Sequence, residues 1–323
     1  MTTTANSEQV FIGIDLGGTT IKGALVNAAG EIAYETRVDT EKSDAKALLN
    51  QLIELAKNLH HLADGRAAAI GIGVPGLVNW KSNRVEIMPN LPDLRDYDLL
   101  AALREATGLG CAIENDANAA AYAEHQAGVA QGKREVFFVT LGTGVGSGLI
   151  LAGNLYRGAH GFAGEFGHMT IDPEGIECSC GNVGCLETIA SAPNIVRRMR
   201  SRLKRDRTSS LSLLVIPRDR ELTAEDIASA AKSGDEMSQL IMERTGMFLG
   251  IALAAVVNLL NLEMIVMGGG VLAAGDLILK PTINETRRRA FPPSFQGCEI
   301  VQASLGASAG VIGAALIGRD YAK

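Results

Sequence analysis

A repeated unit constrains this chain more than any other feature. Residues 10–14 (VFIGI) form a short apolar run that ends at Asp15. A loop, Leu16-Gly17-Gly18-Thr19-Thr20, leads into a second apolar run from Ile21 to Val26 and a turn at Asn27 to Gly30. The same order returns later: a strand from Glu135 to Thr140, the loop LGTGVG, a strand from Ser147 to Leu151, and a turn at Gly153-Asn154. At one constant offset, Asp15-Leu16-Gly17-Gly18 falls on Thr140-Leu141-Gly142-Thr143 and Gly23 on Gly148. Identities are few, but the shared order points to duplication. It predicts two similar α/β lobes facing a cleft.

Between and after these units the pattern alternates strands with helices. A third strand is expected from about Glu31 to Val38. Ala45 to Ala63 has helical periodicity, with Leu48, Leu49, Leu52, Ile53, Leu55, Ala56 and Leu59 on one side. Ala67 to Val74 is wholly apolar, as a strand buried on both faces should be. Tyr97 to Thr107 reads as a helix stopped by Gly108, Cys111 to Glu114 as a strand, and Asn115 to Gln126 as an alanine-rich helix. Further helices are expected at 193–205, 223–232, 235–261, 282–290 and 306–319, with a strand from Met264 to Met267. Leu211 to Arg220 reads as a surface excursion, and the basic stretches 198–207 and 287–289 as solvated helix faces.

At 323 residues the chain is long enough for two lobes. The expected division is residues 1–115 plus a C-terminal helix at 308–323, against 116–307. A hydrophobic content of 47% suits globular cores, and with only 4% aromatic residues those cores should be aliphatic. The net charge of −6 argues against a nucleic-acid partner, which usually needs a basic face. The polar start does not read as a signal peptide, and the run from Gly250 to Leu262 is too short and interrupted to span a bilayer. Of five cysteines, three lie between 178 and 185, which is no disulfide framework; a reducing cytoplasm is expected, with Cys111 and Cys298 as buried thiols.

The chemistry-bearing motifs begin with the two loops. Glycines at 17, 18, 142 and 144 let backbone N–H groups approach phosphate oxygens, and the hydroxyls of Thr19, Thr20 and Thr143 add donors. Lys22 follows, and Asp15 is suited to a hydrated Mg²⁺. Gly71-Ile72-Gly73-Val74-Pro75-Gly76 matches a dinucleotide fingerprint, but Pro75 leads into a loop rather than the helix such a site needs. Gly76 could instead let a backbone approach a substrate. Asp116, between a strand and a helix, reads equally as a helix cap or as a base for a substrate hydroxyl. Gly268-Gly269-Gly270-Val271 is either a platform for a flat base or a tight turn.

The stretch from Gly164 to Thr188 is the densest. His168-x9-Cys178-x-Cys180-x4-Cys185 supplies a Cys₃His set, the closed kind that holds structural Zn²⁺. With no open position, zinc catalysis is not expected. Glu165 and Glu187 bracket the knuckle, either as an acid/base pair or as paired acceptors for a polyol.

Taken together, DLGGTTIKGALV (15–26), GIGVPGLV (71–78), ENDANAAA (114–121), VTLGTGVGSGLI (139–150), GEFGHMTID (164–172), CSCGNVGCLET (178–188) and MGGGV (267–271) resemble the ROK family of sugar kinases and repressors. The resemblance implies an actin-like, ribonuclease-H-type fold of two lobes with the active site in the cleft between them. It implies ATP held by Asp15, Gly17, Gly18, Thr19, Thr20, Lys22, Gly142, Thr143 and Gly144, with Gly268, Gly269, Gly270 and Val271 near the nucleoside. Asp116 would activate the 6-hydroxyl of glucose; Gly76, Asn115, Glu165, His168 and Glu187 would hold the sugar, with Asn90 in MPNLP as a further contact. His168 would serve zinc through one ring nitrogen and the sugar through the other. Mg²⁺ would accompany ATP, and a homodimer or homotetramer is implied, with neither nucleic acid nor membrane as partner. N-acetylglucosamine, N-acetylmannosamine or a broad hexose range, and polyphosphate as donor, are the alternatives. Family repressors add an N-terminal helix-turn-helix; with the first strand at residue 10, a kinase is the expectation.

Overall fold

The computed structural model describes residues 9–79, 81–82, 84–88, 91–215 and 221–322. In chain order the elements are β1 (Val10–Leu16), β2 (Thr20–Asn27), β3 (Ile32–Asp39), α1 (Ala45–Leu62), β4 (Ala67–Val74), β5 (Leu77–Asn79), β6 (Arg84–Ile87), α2 (Leu99–Thr107), β7 (Gly110–Asn115) and α3 (Asp116–Ala127). The second series is β8 (Val136–Leu141), β9 (Val145–Leu151), β10 (Asn154–Leu155), α4 (Glu187–Ala190), α5 (Ala192–Leu203), α6 (Ser212–Val215), α7 (Ala224–Lys232), α8 (Glu236–Leu260), β11 (Met264–Gly268), α9 (Asp276–Arg289), α10 (Pro292–Gln296), β12 (Glu299–Gln302) and α11 (Ala309–Tyr321).

Two five-stranded sheets repeat one topology. The first has the order β3-β2-β1-β4-β7 and the second β10-β9-β8-β11-β12, strand for strand the same arrangement. β4 lies parallel to β1 and β7, as β11 does to β8 and β12. Even the ends correspond: Asp15 is paired with Gly73, and Thr140 with Gly268. The duplication inferred from two loops thus extends to whole sheets.

The chain forms two compact units, 1–134 with 148–164 and 303–323, and 135–147 with 165–302. The boundary expected at 115/116 is therefore displaced: α3 and the 148–164 segment belong with the first unit. The reason is packing. A Cβ on Gly148 would lie 2.5 Å from the Cβ of Ala121, and one on Gly313 of α11 would lie 1.8 Å from the carbonyl of Ala119, so α3 is sandwiched at backbone distance.

Within the first unit, strand alternation sorts the two faces of β1. Ile12, Ile14 and Leu16 join Leu48, Leu52, Leu55 and Leu59 of α1 in a core that also takes Leu99, Leu100 and Leu103 of α2. Burying each such side chain contributes about 1.5–3 kcal/mol. On the opposite face α11 rests directly on backbone. A Cβ on Gly13 would sit 2.1 Å from the Val311 carbonyl, and one on Gly71 1.7 Å from that of Ala314. This explains the decoy fingerprint: Gly71 serves helix-on-sheet contact, and the segment after Gly76 runs into a β5–β6 hairpin, not a helix. Gly71→Ala is expected to cost about 3 kcal/mol or more by overpacking. Denaturant unfolding reads this directly; an unchanged midpoint would mean that α11 can back away.

In the second unit α8 is the one helix among the described residues long and apolar enough to cross a membrane by length and composition, yet most of it is buried within the protein. Gly246 and Gly250 of α8 press on α9 at Pro281 and Glu285. Sequence periodicity starts α9 at Thr282, because proline interrupts a helical pattern; the helix in fact begins at Asp276, with Pro281 inside it against Gly246. The excursion from Leu211 is partly anchored: Leu211 is buried and α6 follows, while residues 216–220 lie outside the described set. The basic stretch is not uniformly solvated either. Arg198 donates to Thr245 Oγ1 and to the Ile189 carbonyl, and burial, aided by the charge of Arg197, lowers its pKa to about 10. Arg288 and Arg289 both grip Glu285. Cys111 and Cys298 are buried thiols, each pushed up to about 11, chiefly by burial.

Candidate active site and metal centre

The first unit gathers its acids at the C-terminal ends of three parallel strands, where α/β sheets place their ligands. Asp15 on β1 is paired with Gly73 on β4, and Gly73 with Glu114 on β7. Asp116 opens α3 two residues later. A Cβ on Gly73 would lie 3.9 Å from Asp15 Oδ1 and 3.6 Å from Asp116 Cα, so the two aspartates flank a bare backbone. Burial raises the pKa of Asp15, opposed by the Lys22 charge. Asp116 is raised to about 7, first by burial and then by the charge of Asp15; N–H groups of Ala117 and Asn115 pull the other way.

The helix-cap reading of Asp116 does not hold, because Asn115 has that role. Asn115 Oδ1 accepts from Asn118 N at 3.0 Å, while its amide donates to the Gly76 carbonyl (3.0 Å) and to Asp116 Oδ1 (3.1 Å). Both its N–H groups are thus engaged, leaving acceptor capacity on Oδ1. Gly76, at φ +94, turns its carbonyl to that amide. Asn90 lies outside the described residues.

The loop after β1 is a tight hairpin in which Gly17 N donates to the Thr20 carbonyl at 3.1 Å. Thr40, which the sequence did not single out, steadies it: its hydroxyl donates to the Gly17 carbonyl at 2.8 Å. Its signal was hidden because it lies at the far end of β3. Thr19 is exposed, and no atom lies within 4 Å of a Cβ on Gly18, so the backbone is open there. Lys22 lies 3.9 Å from Asp15 Oδ2 and donates to the Ala307 carbonyl.

In the second unit the matching loop has Gly142 N donating to the Gly144 carbonyl at 2.9 Å, with Thr143 exposed and Gly142 open. Glu187 docks on this loop: its Oε2 accepts from Val145 N at 2.9 Å, and a Cβ on Gly144 would meet that oxygen at 2.6 Å. One carboxylate oxygen therefore braces the loop. In the GGGV segment, Gly269 at φ +91 passes so close to Leu141 that a Cβ would lie 2.3 Å from its carbonyl. The tight-turn reading accounts for Gly269, and Val271 is buried in the core. Gly270 faces open space.

The knuckle folds as short antiparallel bridges, Thr170 to Cys185 and Glu177 to Val183. It brings ligand atoms of His168, Cys178, Cys180 and Cys185 within 4.8 Å of one another. Tetrahedral zinc with bonds of about 2.0–2.1 Å to nitrogen and about 2.3 Å to sulfur has edges of about 3.5–3.8 Å. His168 Nδ1 lies 3.7 Å from Cys178 Sγ, and Cys180 Sγ lies 3.7 Å from Cys185 Sγ, so the donor set fits. The other ring nitrogen, Nε2, points to Glu165 Oε2 at 3.8 Å. Glu165 is raised chiefly by partial burial, with His168 opposing and Glu187 adding. One nitrogen of the imidazole thus addresses the thiols and the other Glu165.

Comparison with known proteins agrees with this layout. A glucokinase of Halalkalibacterium halodurans is 40% identical over 95% of this chain and 94% of its own length. A xylose repressor of Bacillus subtilis is 30% identical over 96% of this chain and 77% of its own. The crystal structure of a ROK family glucokinase from Streptomyces griseus in complex with glucose and AMPPNP superposes with a TM-score of 0.83 at 32% identity, covering 96% of this chain and 99% of that one. The ROK family pattern itself runs through residues 11–320, and the chain belongs to the ROK family.

Proposed function

We propose that this chain is a glucokinase, transferring the γ-phosphoryl group of ATP to the 6-hydroxyl of glucose. The observation that carries the reading is Asp116, whose pKa near 7 suits a base working at neutral pH. Its carboxylate takes the hydroxyl proton as the 6-oxygen bonds to the γ-phosphorus and the bond to ADP breaks. Asn115, Gly76, Asn90, Glu165, His168 and Glu187 are assigned to the remaining sugar contacts, Asn115 through the second lone pair of its capping Oδ1 and Glu187 through the oxygen that does not brace Val145 N.

ATP is assigned to Asp15, Gly17, Gly18, Thr19, Thr20 and Lys22, to Gly142, Thr143 and Gly144, and to Gly268–Val271 through backbone. Open space beside the backbone at Gly18, Gly142 and Gly270 supports this, since no side chain there blocks the approach of a phosphate. Two largely buried aspartates with raised pKa values, Asp15 and Asp116, with Lys22 as the nearby cation on Asp15, form an acidic pair that suits Mg²⁺. The metal would supply charge neutralisation on the phosphates. His168, Cys178, Cys180 and Cys185 are assigned to structural Zn²⁺. The assembly state, proposed as a dimer or tetramer, is read by light scattering.

A coupled assay of ADP release over a hexose panel, with ATP and with polyphosphate, tests the reading. Glucose with ATP is expected to give the highest kcat/KM, by about tenfold or more over N-acetylglucosamine, N-acetylmannosamine and fructose. Sugar binding without turnover of any donor would instead align the chain with its repressor relatives.

A further inference from the structure

We propose that Glu114 and Arg157 are a positioning pair that sets the geometry of Asp116; the proposal rests on the reading of Asp116 as the base. Glu114 is 3% exposed and Arg157 12%, and Arg157 Nε donates to Glu114 Oε2 at 2.5 Å. Burying two charges costs several kcal/mol per ion before their attraction repays it, so such a pair is poor evidence of stabilisation for its own sake. What distinguishes this pair is where its hydrogen bonds go. Glu114 Oε1 accepts from Asn118 Nδ2 at 3.0 Å and from Asn115 N at 3.1 Å. The carboxylate therefore clamps the end of β7 to the first turn of α3, the junction from which Asp116 projects.

The chain of contacts then runs to the base itself. Asn118 N is held by Asn115 Oδ1, and the Asn115 amide donates to Asp116 Oδ1. Arg157 is in turn held by Tyr321 of α11, whose ring centroid lies 4.7 Å from the guanidinium carbon. The guanidinium also offsets the Glu114 charge, which keeps that carboxylate accepting at the junction. Loss of the arginine should therefore act on chemistry through Asp116 and spare the nucleotide loops.

Kinetics of the full-length protein decide the matter. Arg157→Gln and Glu114→Gln are each expected to lower kcat about tenfold to a hundredfold, with KM for ATP within twofold of wild type. Arg157→Lys, which keeps the charge but not the fork, should recover part of the loss and serves if Arg157→Gln fails to fold. In an Asp116→Asn background the same substitutions should have almost no further effect on kcat, because residues acting as a unit are not additive. A lowered melting temperature with unchanged kcat, or an equal fold-loss in both backgrounds, would overturn the pair's role. If Asp116→Asn itself turns over normally, the base assignment fails instead, and the two failures are told apart by that one variant.

Discussion

Asp116→Asn is expected to lower kcat by about 10²–10⁴-fold while glucose affinity changes only a few-fold. The amide keeps the shape and the bond from Ala117 N but cannot take the proton of the 6-hydroxyl. In wild-type protein the same carboxyl, with its pKa near 7, makes kcat/KM fall about tenfold per pH unit on the acid side of neutrality. Its stability consequence has the opposite sense. The folded state holds this proton more tightly than the unfolded chain does, so protonation favours the fold, and stability is withdrawn as pH rises from about 4 through about 7. Asp116→Asn should therefore be more stable than wild type at pH 8, by about 1–3 kcal/mol once residual solvent screening is discounted, with the gap closing below pH 4. Calorimetric glucose titration and thermal unfolding at the two pH values check both halves. Near-normal turnover would remove Asp116 from the base role.

Loss of the knuckle metal is the second large effect. Metal analysis of purified protein is expected to find one zinc per chain. Cys185→Ser, which changes a buried ligand by one atom, should lose it and raise KM for glucose about tenfold or more, with a smaller change in kcat at saturating sugar. The direction follows from connectivity. Glu165 and His168 enter the knuckle and Glu187 leaves it, so a melted knuckle releases three proposed sugar ligands together with the brace that Glu187 places on Val145 N. Structural zinc contributes on the order of 10 kcal/mol to local folding. A clear drop in melting temperature should accompany the loss. Zinc-free protein with normal glucose KM would refute this account of the stretch.

Periodicity located most of the elements. α1 came out within a residue of its expected end, because its apolar face and the Asp44 cap are local signals. α9 did not, because Pro281 is a local break that packing against Gly246 overrides. The basic run around Arg198 reads as solvated by composition alone; that one guanidinium turns inward to Thr245 depends on α8, far along the chain.

The chain by itself determined the repeated loops, the His/Cys cluster proposed to hold zinc and the acid at the strand-to-helix junction, since each is written in residue type and short spacing. Only the tertiary structure decided that Asn115 caps α3 and leaves Asp116 without that role. It also decided that one oxygen of Glu187 is committed to a loop, that α3 belongs with the first unit, and that Arg157 meets Glu114. The physical reason is common to all four. Burial, helix-on-backbone contact and the sharing of hydrogen-bond capacity are set by neighbours distant in sequence, and no local pattern encodes them.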